Sequence, residues 1–281
     1  MTKPDLGPIK LVTVVTSDLA HSVRGYRDCL GYQVQDEGTV TAELASAWHA
    51  PRCAGAAYVV VGPASGIGGS VRLVEGPVPA DYRPARTFGW AALEICVPDV
   101  DALARRLEGS AFRTLIPPAP LAGLTRPALR AMQSAGPSGE LVYFTEILGD
   151  LPPFDLPRCS GDIDGVFIAV VAASRLETTR GWFERRFAVE RASDRHVAVQ
   201  VINHAFELPR DTPHRISSLK LLGRTAIEHD QYPEQATVRP TVPGHLPPGV
   251  GSVSLGVAST YSIDQSVLIG PDGLRVELVR R

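Results

Sequence analysis

Apolar and polar positions alternate along this chain in short blocks. Runs 11–15, 58–61, 92–97 and 167–173 are of strand length; the second and fourth are apolar, and the first and third are mostly so. Val100–Leu107 instead spaces its apolar residues at the helical period, with Asp101, Arg105 and Arg106 on the other side. Asp18 and Asp99 stand directly after the first and third of these runs, where a side-chain acceptor is needed to cap a helix. Residues 9–75 therefore read as strand, helix, then strands. Residues 90–147 repeat that order, with further strands at 112–116, 128–133 and 141–146. A strand is also expected at 199–206.

The pattern recurs on a larger scale. Arg24-Gly25-Tyr26, followed by Leu30-Gly31-Tyr32, is echoed by Arg180-Gly181-Trp182, followed by Phe187, at an offset of 156. Arg72-Leu73-Val74-Glu75 is echoed by Thr225-Ala226-Ile227-Glu228 at an offset of 153. Gly136-Pro137-Ser138-Gly139 is echoed by Gly270-Pro271-Asp272-Gly273 at an offset of 134. Three echoes in one order indicate a tandem duplication. The falling offset indicates that about 20 residues are missing late in the second copy, where 259–265 is too short for a helix like Val100–Leu107. The proline-rich stretch 148–165 reads as the junction. The expected organisation is a first domain at 1–150, a linker at 151–164 and a second domain at 165–281. Each domain holds two β-α-β-β-β units, the last of them shortened. The fold class is α+β, with tandem βαβββ modules forming two concave mixed-sheet half-barrels.

Composition narrows the function. The chain has 281 residues, 28 basic and 30 acidic, for a net charge of −2. It has no basic face for nucleic acid and no polybasic membrane anchor. No apolar run reaches the roughly 18 residues of a membrane span. The 4 cysteines are scattered, as in a reduced cytoplasmic protein, and fit neither a zinc finger nor a disulfide scaffold. The expected partner is a small molecule, with a homodimer allowed. The glycine-rich Ser65-Gly66-Ile67-Gly68-Gly69 lacks a following Lys-Ser/Thr and precedes a strand, so it reads as a hairpin connection rather than a phosphate loop.

Thr16-Ser17-Asp18-Leu19 with Tyr26 and Leu30-Gly31-Tyr32, and Gly270-Pro271-Asp272-Gly273 with Val276-Glu277-Leu278, resemble the opening and closing motifs of the vicinal oxygen chelate superfamily. This is the glyoxalase, bleomycin-resistance and extradiol dioxygenase fold, and the resemblance spans nearly the whole chain. It implies a concave barrel holding a divalent metal on His and Glu ligands. The opening-strand ligand positions fall on Leu11 and Ala92, and near Phe167 and Val253, none of them His. The closing-strand positions fall on Glu75, Tyr143, Glu228 and Glu277. Two carboxylates without imidazole or thiolate make a poor transition-metal site, so no metal and no other cofactor is expected.

The surviving polar residues suggest acid–base chemistry. Glu228 and Glu277 are expected in one barrel as a carboxylate pair, and Glu75 with Tyr143 in the other as a base and a hydroxyl donor. The alternative for each is an inherited hydrogen bond or ion pair. His204, in the strand expected at 199–206, and the neighbours Trp48 and His49 are all expected near the substrate; a structural role is the alternative for both histidines. His229 follows Glu228 directly and should face the other side of its strand. Two functions remain open. One is a metal-independent lyase or isomerase acting on a hydrophobic, oxygenated and in some forms aromatic small molecule. The other is a non-catalytic sequestering protein of the bleomycin-resistance type.

Overall fold

Strand β1 (Leu6–Thr16) leads to Asp18, whose carboxylate accepts the N–H of His21 at 2.8 Å and starts α1 (Leu19–Leu30). Gly31 ends that helix in the left-handed conformation, φ 73°, returning its N–H to Arg27. The unit continues through β2 (Gln33–Thr39), α2 (Ala42–Ala47), β3 (Ala57–Gly62) and β4 (Ser70–Glu75). The second unit has β5 (Gly89–Cys96), α3 (Val100–Leu107) capped by Asp99, β6 (Arg113–Pro120), β7 (Leu129–Ala135) and β8 (Leu141–Ile147). The third has β9 (Val166–Ala173), α4 (Leu176–Arg186), β10 (Glu190–Arg191), β11 (Arg195–Ala198), α5 (Gln200–Ala205), β12 (Pro213–Lys220) and β13 (Ala226–Gln231). The last has β14 (Gly249–Val257), β15 (Val267–Ile269) and β16 (Arg275–Arg280). The computed structural model describes residues 3–121, 128–159, 161, 163–259 and 266–281. The helix expected to be lost at 259–265 lies almost wholly outside the described residues.

The strands form two mixed sheets, one of seven strands and one of nine. The order in the first is β15, β16, β14, β1, β4, β3, β2. In the second it is β10, β12, β13, β9, β5, β8, β7, β6, with β11 paired to β12. This corrects the expected allotment of one barrel to each half of the chain. The seven-stranded sheet joins the first unit to the last through the antiparallel pair β1–β14, and the nine-stranded sheet joins the second to the third through β5–β9. The physical reason is that every unit opens with a strand whose free edge needs a partner. A repeat shows that such edges exist, but not which two of the four pair.

Each closing hairpin packs on the opening helix of its own half. Tyr26 of α1 donates to Glu140 at 2.7 Å, and Ser22 meets Ser138 at 2.8 Å. Asp272 accepts the N–H of Ser174 at 3.0 Å and the hydroxyl of Thr179 at 3.2 Å, next to α4, which has no capping side chain of its own. One apolar core, including Tyr26, Trp90, Phe112, Phe144, Phe183 and Val253, runs through both halves on the helix side of the sheets.

Candidate active site

A cavity of about 210 Å³ lies in the concave face of the nine-stranded sheet. Pairing registers place its polar groups in two rows. Gln133 on β7 lies beside Tyr143 on β8, which lies beside Glu94 on β5, with Ile168 of β9 next in line. Ser218 on β12 lies beside Glu228 on β13, which lies beside Val170 of β9. The two carboxylates thus flank β9, about one pleat apart. Leu151, Phe154 and Leu156 close the cavity from the segment between β8 and β9, and Arg195 of β11 lines it near Glu228. That segment, expected to be a plain linker, is therefore part of the cavity wall.

Electrostatics set these carboxyls apart from ordinary ones. Glu94 is 5 % exposed and accepts a short hydrogen bond from Thr145. Burial, then the charge of Glu228, push it up to about 8 against the pull of that hydroxyl. Burial also raises Glu228, opposed by Arg195, while Glu228 keeps part of its surface open to the cavity. Asp230, one pleat further along β13, is buried without a hydrogen-bond partner among the described residues, and burial, then the charges of both glutamates, raise it well above the usual carboxylate range against the pull of Arg195. The Tyr143 hydroxyl and the Gln133 side-chain oxygen are likewise buried without a partner among the described residues. Chemically, the cavity offers Glu94, placed by its shift to exchange a proton near neutral pH, a second carboxyl, Glu228, raised by burial, and the Tyr143 hydroxyl.

The seven-stranded concavity is filled instead. Glu277 accepts from Arg72 at 2.5 Å, from the Trp48 indole N–H at 2.9 Å and from Ser254 at 3.1 Å. Arg72 also donates to Thr13 and lies 4.8 Å over the Trp48 ring. The structure thus separates Glu277 from Glu228, which were expected as a pair. Glu228 sits in the open cavity and Glu277 in a saturated ion pair in the other sheet. Glu75 is separated from Tyr143 in the same way. It shares the parity of Leu73, which packs on the helix side, and ends β4 exposed. Tyr143 joins Glu228 in the cavity.

Three other expected substrate contacts are elsewhere. Trp48 is buried in the filled concavity, and His49 is exposed with φ 54°. His204 is exposed in the last turn of α5. Residues 199–206 form a helical turn rather than a strand because Val201, Ile202 and Asn203 are buried consecutively, and Asn203 ties to the carbonyls of Arg210 and Thr212 and to His214. His229 does face away, against Phe183, with burial driving it down to about 3.

No family model and no curated protein sequence matches the chain. Its shape does match solved structures. Glyoxalase I from Zea mays is similar in two crystal structures. A point variant has TM-score 0.64 and 15 % identity, covering 98 % of this chain and 93 % of that one. The unsubstituted enzyme has TM-score 0.62 and 14 % identity, with the same coverages of 98 % and 93 %. A dioxygenase-type protein of Bacillus subtilis gives TM-score 0.62 at 10 % identity, covering 99 % of this chain and 86 % of that one. The chain has the vicinal oxygen chelate fold.

The resemblance to the vicinal oxygen chelate superfamily implies a metal in such a concavity, and the residues here do not fit one. The nine-stranded sheet supplies Glu94 and Glu228, but its other central strands present Tyr143 and Ile168. Among the described residues, the one set of three carboxylate, thiol or imidazole ligands close enough to share an ion is Cys96, Cys159 and Asp164, to which neither glutamate belongs. The opening-strand position expected at Ala92 missed Glu94, one pleat away. The signal available was a single charge inside an otherwise uncharged eight-residue strand.

Proposed function

We propose that the chain catalyses metal-independent proton transfer, as an isomerase or lyase, on a small and largely apolar oxygenated molecule held in the nine-stranded concavity. The observation that carries this reading is the meeting of Glu94, Glu228 and Tyr143 around one cavity, with no ion pair among the described residues saturating the two carboxyls. Glu228, the carboxylate more open to the cavity and nearer Arg195, takes a proton from a carbon next to a carbonyl. The bonding pair left behind delocalises onto the carbonyl oxygen. Tyr143 donates a hydrogen bond to that developing oxyanion, and Glu94 returns a proton to the oxygen or to the remote carbon. Ile116, Leu129, Phe154 and Ile168 supply apolar walls that exclude water and favour a hydrophobic substrate. Among the described residues no helix is long and apolar enough to cross a membrane, and the four free cysteines suit a cytoplasmic setting.

Exchange of carbon-bound hydrogen for solvent deuterium, followed by NMR across a panel of apolar ketones and enolisable acids, tests the reading. The wild-type chain accelerates exchange in at least one compound, and Glu94→Gln and Glu228→Gln each reduce the rate by about 100-fold or more. Compounds that bind in the cavity without any exchange favour the sequestering function, which the mainly apolar lining also suits.

A further inference from the structure

Two of the four cysteines, scattered in sequence, come together in space. Cys96 ends β5, while Cys159 and Asp164 belong to the segment between β8 and β9. One ligand atom from each lies within 4.8 Å of the other two. The Cys159 thiol donates to Asp164 Oδ2 at 3.2 Å, and the Cys96 thiol donates to the Pro157 carbonyl at 3.5 Å. Asp164 is oriented from outside the group. Ser65 donates to its Oδ1 at 2.7 Å, its backbone N–H donates to the Cys96 carbonyl at 3.1 Å, and its carbonyl accepts from Tyr32 at 2.8 Å. A separate cavity of about 90 Å³, bordered by Pro157, Asp164 and Phe167, adjoins the Asp164 side of the group.

We propose that Cys96, Cys159 and Asp164 form a binding site for a thiophilic divalent ion of the zinc type. Two sulfur ligands and one carboxylate suit a borderline-soft ion in tetrahedral geometry, with the fourth position left to water or to the Pro157 carbonyl. The Ser65 hydroxyl is the kind of outer hydrogen bond that fixes a ligating carboxylate. On binding, the two thiols give up their protons to solvent and the sulfurs bond the ion, with no change in oxidation state. The site does not take part in the proton chemistry above. Its effect is mechanical: it ties β5, which carries Glu94, to the segment whose Leu151, Phe154 and Leu156 close the neighbouring cavity.

Chelator-treated full-length protein titrated with Cd²⁺ alone, and then with Zn²⁺ as competitor, tests the site. One Cd²⁺ binds per chain with a thiolate-to-metal charge-transfer band in the ultraviolet, and Zn²⁺ displaces it. Cys159→Ser removes the band and weakens binding at least about 100-fold, while Asp164→Asn and Ser65→Ala each weaken it about 10-fold. Cys159 is only half-buried, so its variant is expected to fold, which circular dichroism checks. Cys29→Ser, Cys53→Ser and Glu228→Gln leave the titration unchanged. The proposal is overturned if wild-type protein binds no stoichiometric Cd²⁺, if the band survives Cys159→Ser in folded protein, or if it disappears in Cys29→Ser or Cys53→Ser.

Discussion

A glutamate in the middle of a concave sheet meets one of two fates in this molecule. Glu277 has three donors, one of them a guanidinium, and its negative charge is spent inside the protein. Glu94 and Glu228 have no such set and remain able to react. Substitution should separate the two cases. Glu277→Gln leaves the buried Arg72 guanidinium uncompensated and should cost about 3 kcal/mol of stability, read as a lower urea midpoint, while proton-exchange activity persists. Half of this distinction was legible in the sequence. The acidic character of positions 228 and 277 was plain, but the placement of Glu75 relied on an echo at 153 residues, whereas the helices repeat at 156. An odd difference of three moves a strand residue to the opposite face. Glu94 was missed for a different reason. Ala92 and Glu94 share a face, so the strand's alternation could not choose between them, and the same two-residue slip separates Leu11 from Thr13, which meets Arg72 in the other concavity.

At the scale of elements, the helix caps were the most legible feature, because a cap is a local interaction and Asp18 and Asp99 supply their own acceptors. Contacts between elements far apart in sequence were not legible. Glu140, just after the Gly136–Gly139 hairpin, is fully buried against α1, where it accepts from Tyr26 and from its own hairpin at Ser138. Burial raises it to about 7, its hydrogen bonds pulling the other way. Because the folded state holds this proton more tightly than the unfolded chain does, the contribution to stability is complete below about pH 4.5, the ordinary glutamate value, and is lost as pH rises through about 7. Glu140→Gln removes that titration. Relative to wild type it should gain on the order of 3 kcal/mol between pH 4.5 and 8, seen as a melting-temperature difference that widens with pH. A constant difference across that range would show that Glu140 does not titrate with folding. The segment between β8 and β9 escaped prediction as a wall of the cavity because a proline-rich stretch signals the absence of helix, not what it packs on.

The whole molecule is held together by crossed pairing. Each sheet takes one unit from each half of the chain, so neither half can complete a concave face alone. Expressed separately, 1–150 and 165–281 should remain largely unfolded or aggregate through the open edges of β1, β5, β9 and β14. Produced together, they should assemble into a one-to-one complex with native-like circular dichroism and a sedimentation mass near that of the intact chain. Stable monomeric halves would contradict the strand order. The duplication announced four similar units and the fold they belong to, yet the choice between pairing within and across halves depends on contacts more than 100 residues apart, which leave no local pattern. The side chains of Arg72 and Trp48 carry a last consequence. They act as an occupant tethered inside the seven-stranded concavity, present at an effective concentration no free molecule can match. Despite its pseudo-twofold build, the protein therefore titrates small ligands with a stoichiometry of one per chain, and its saturation curve is a simple hyperbola without cooperativity between the two sheets.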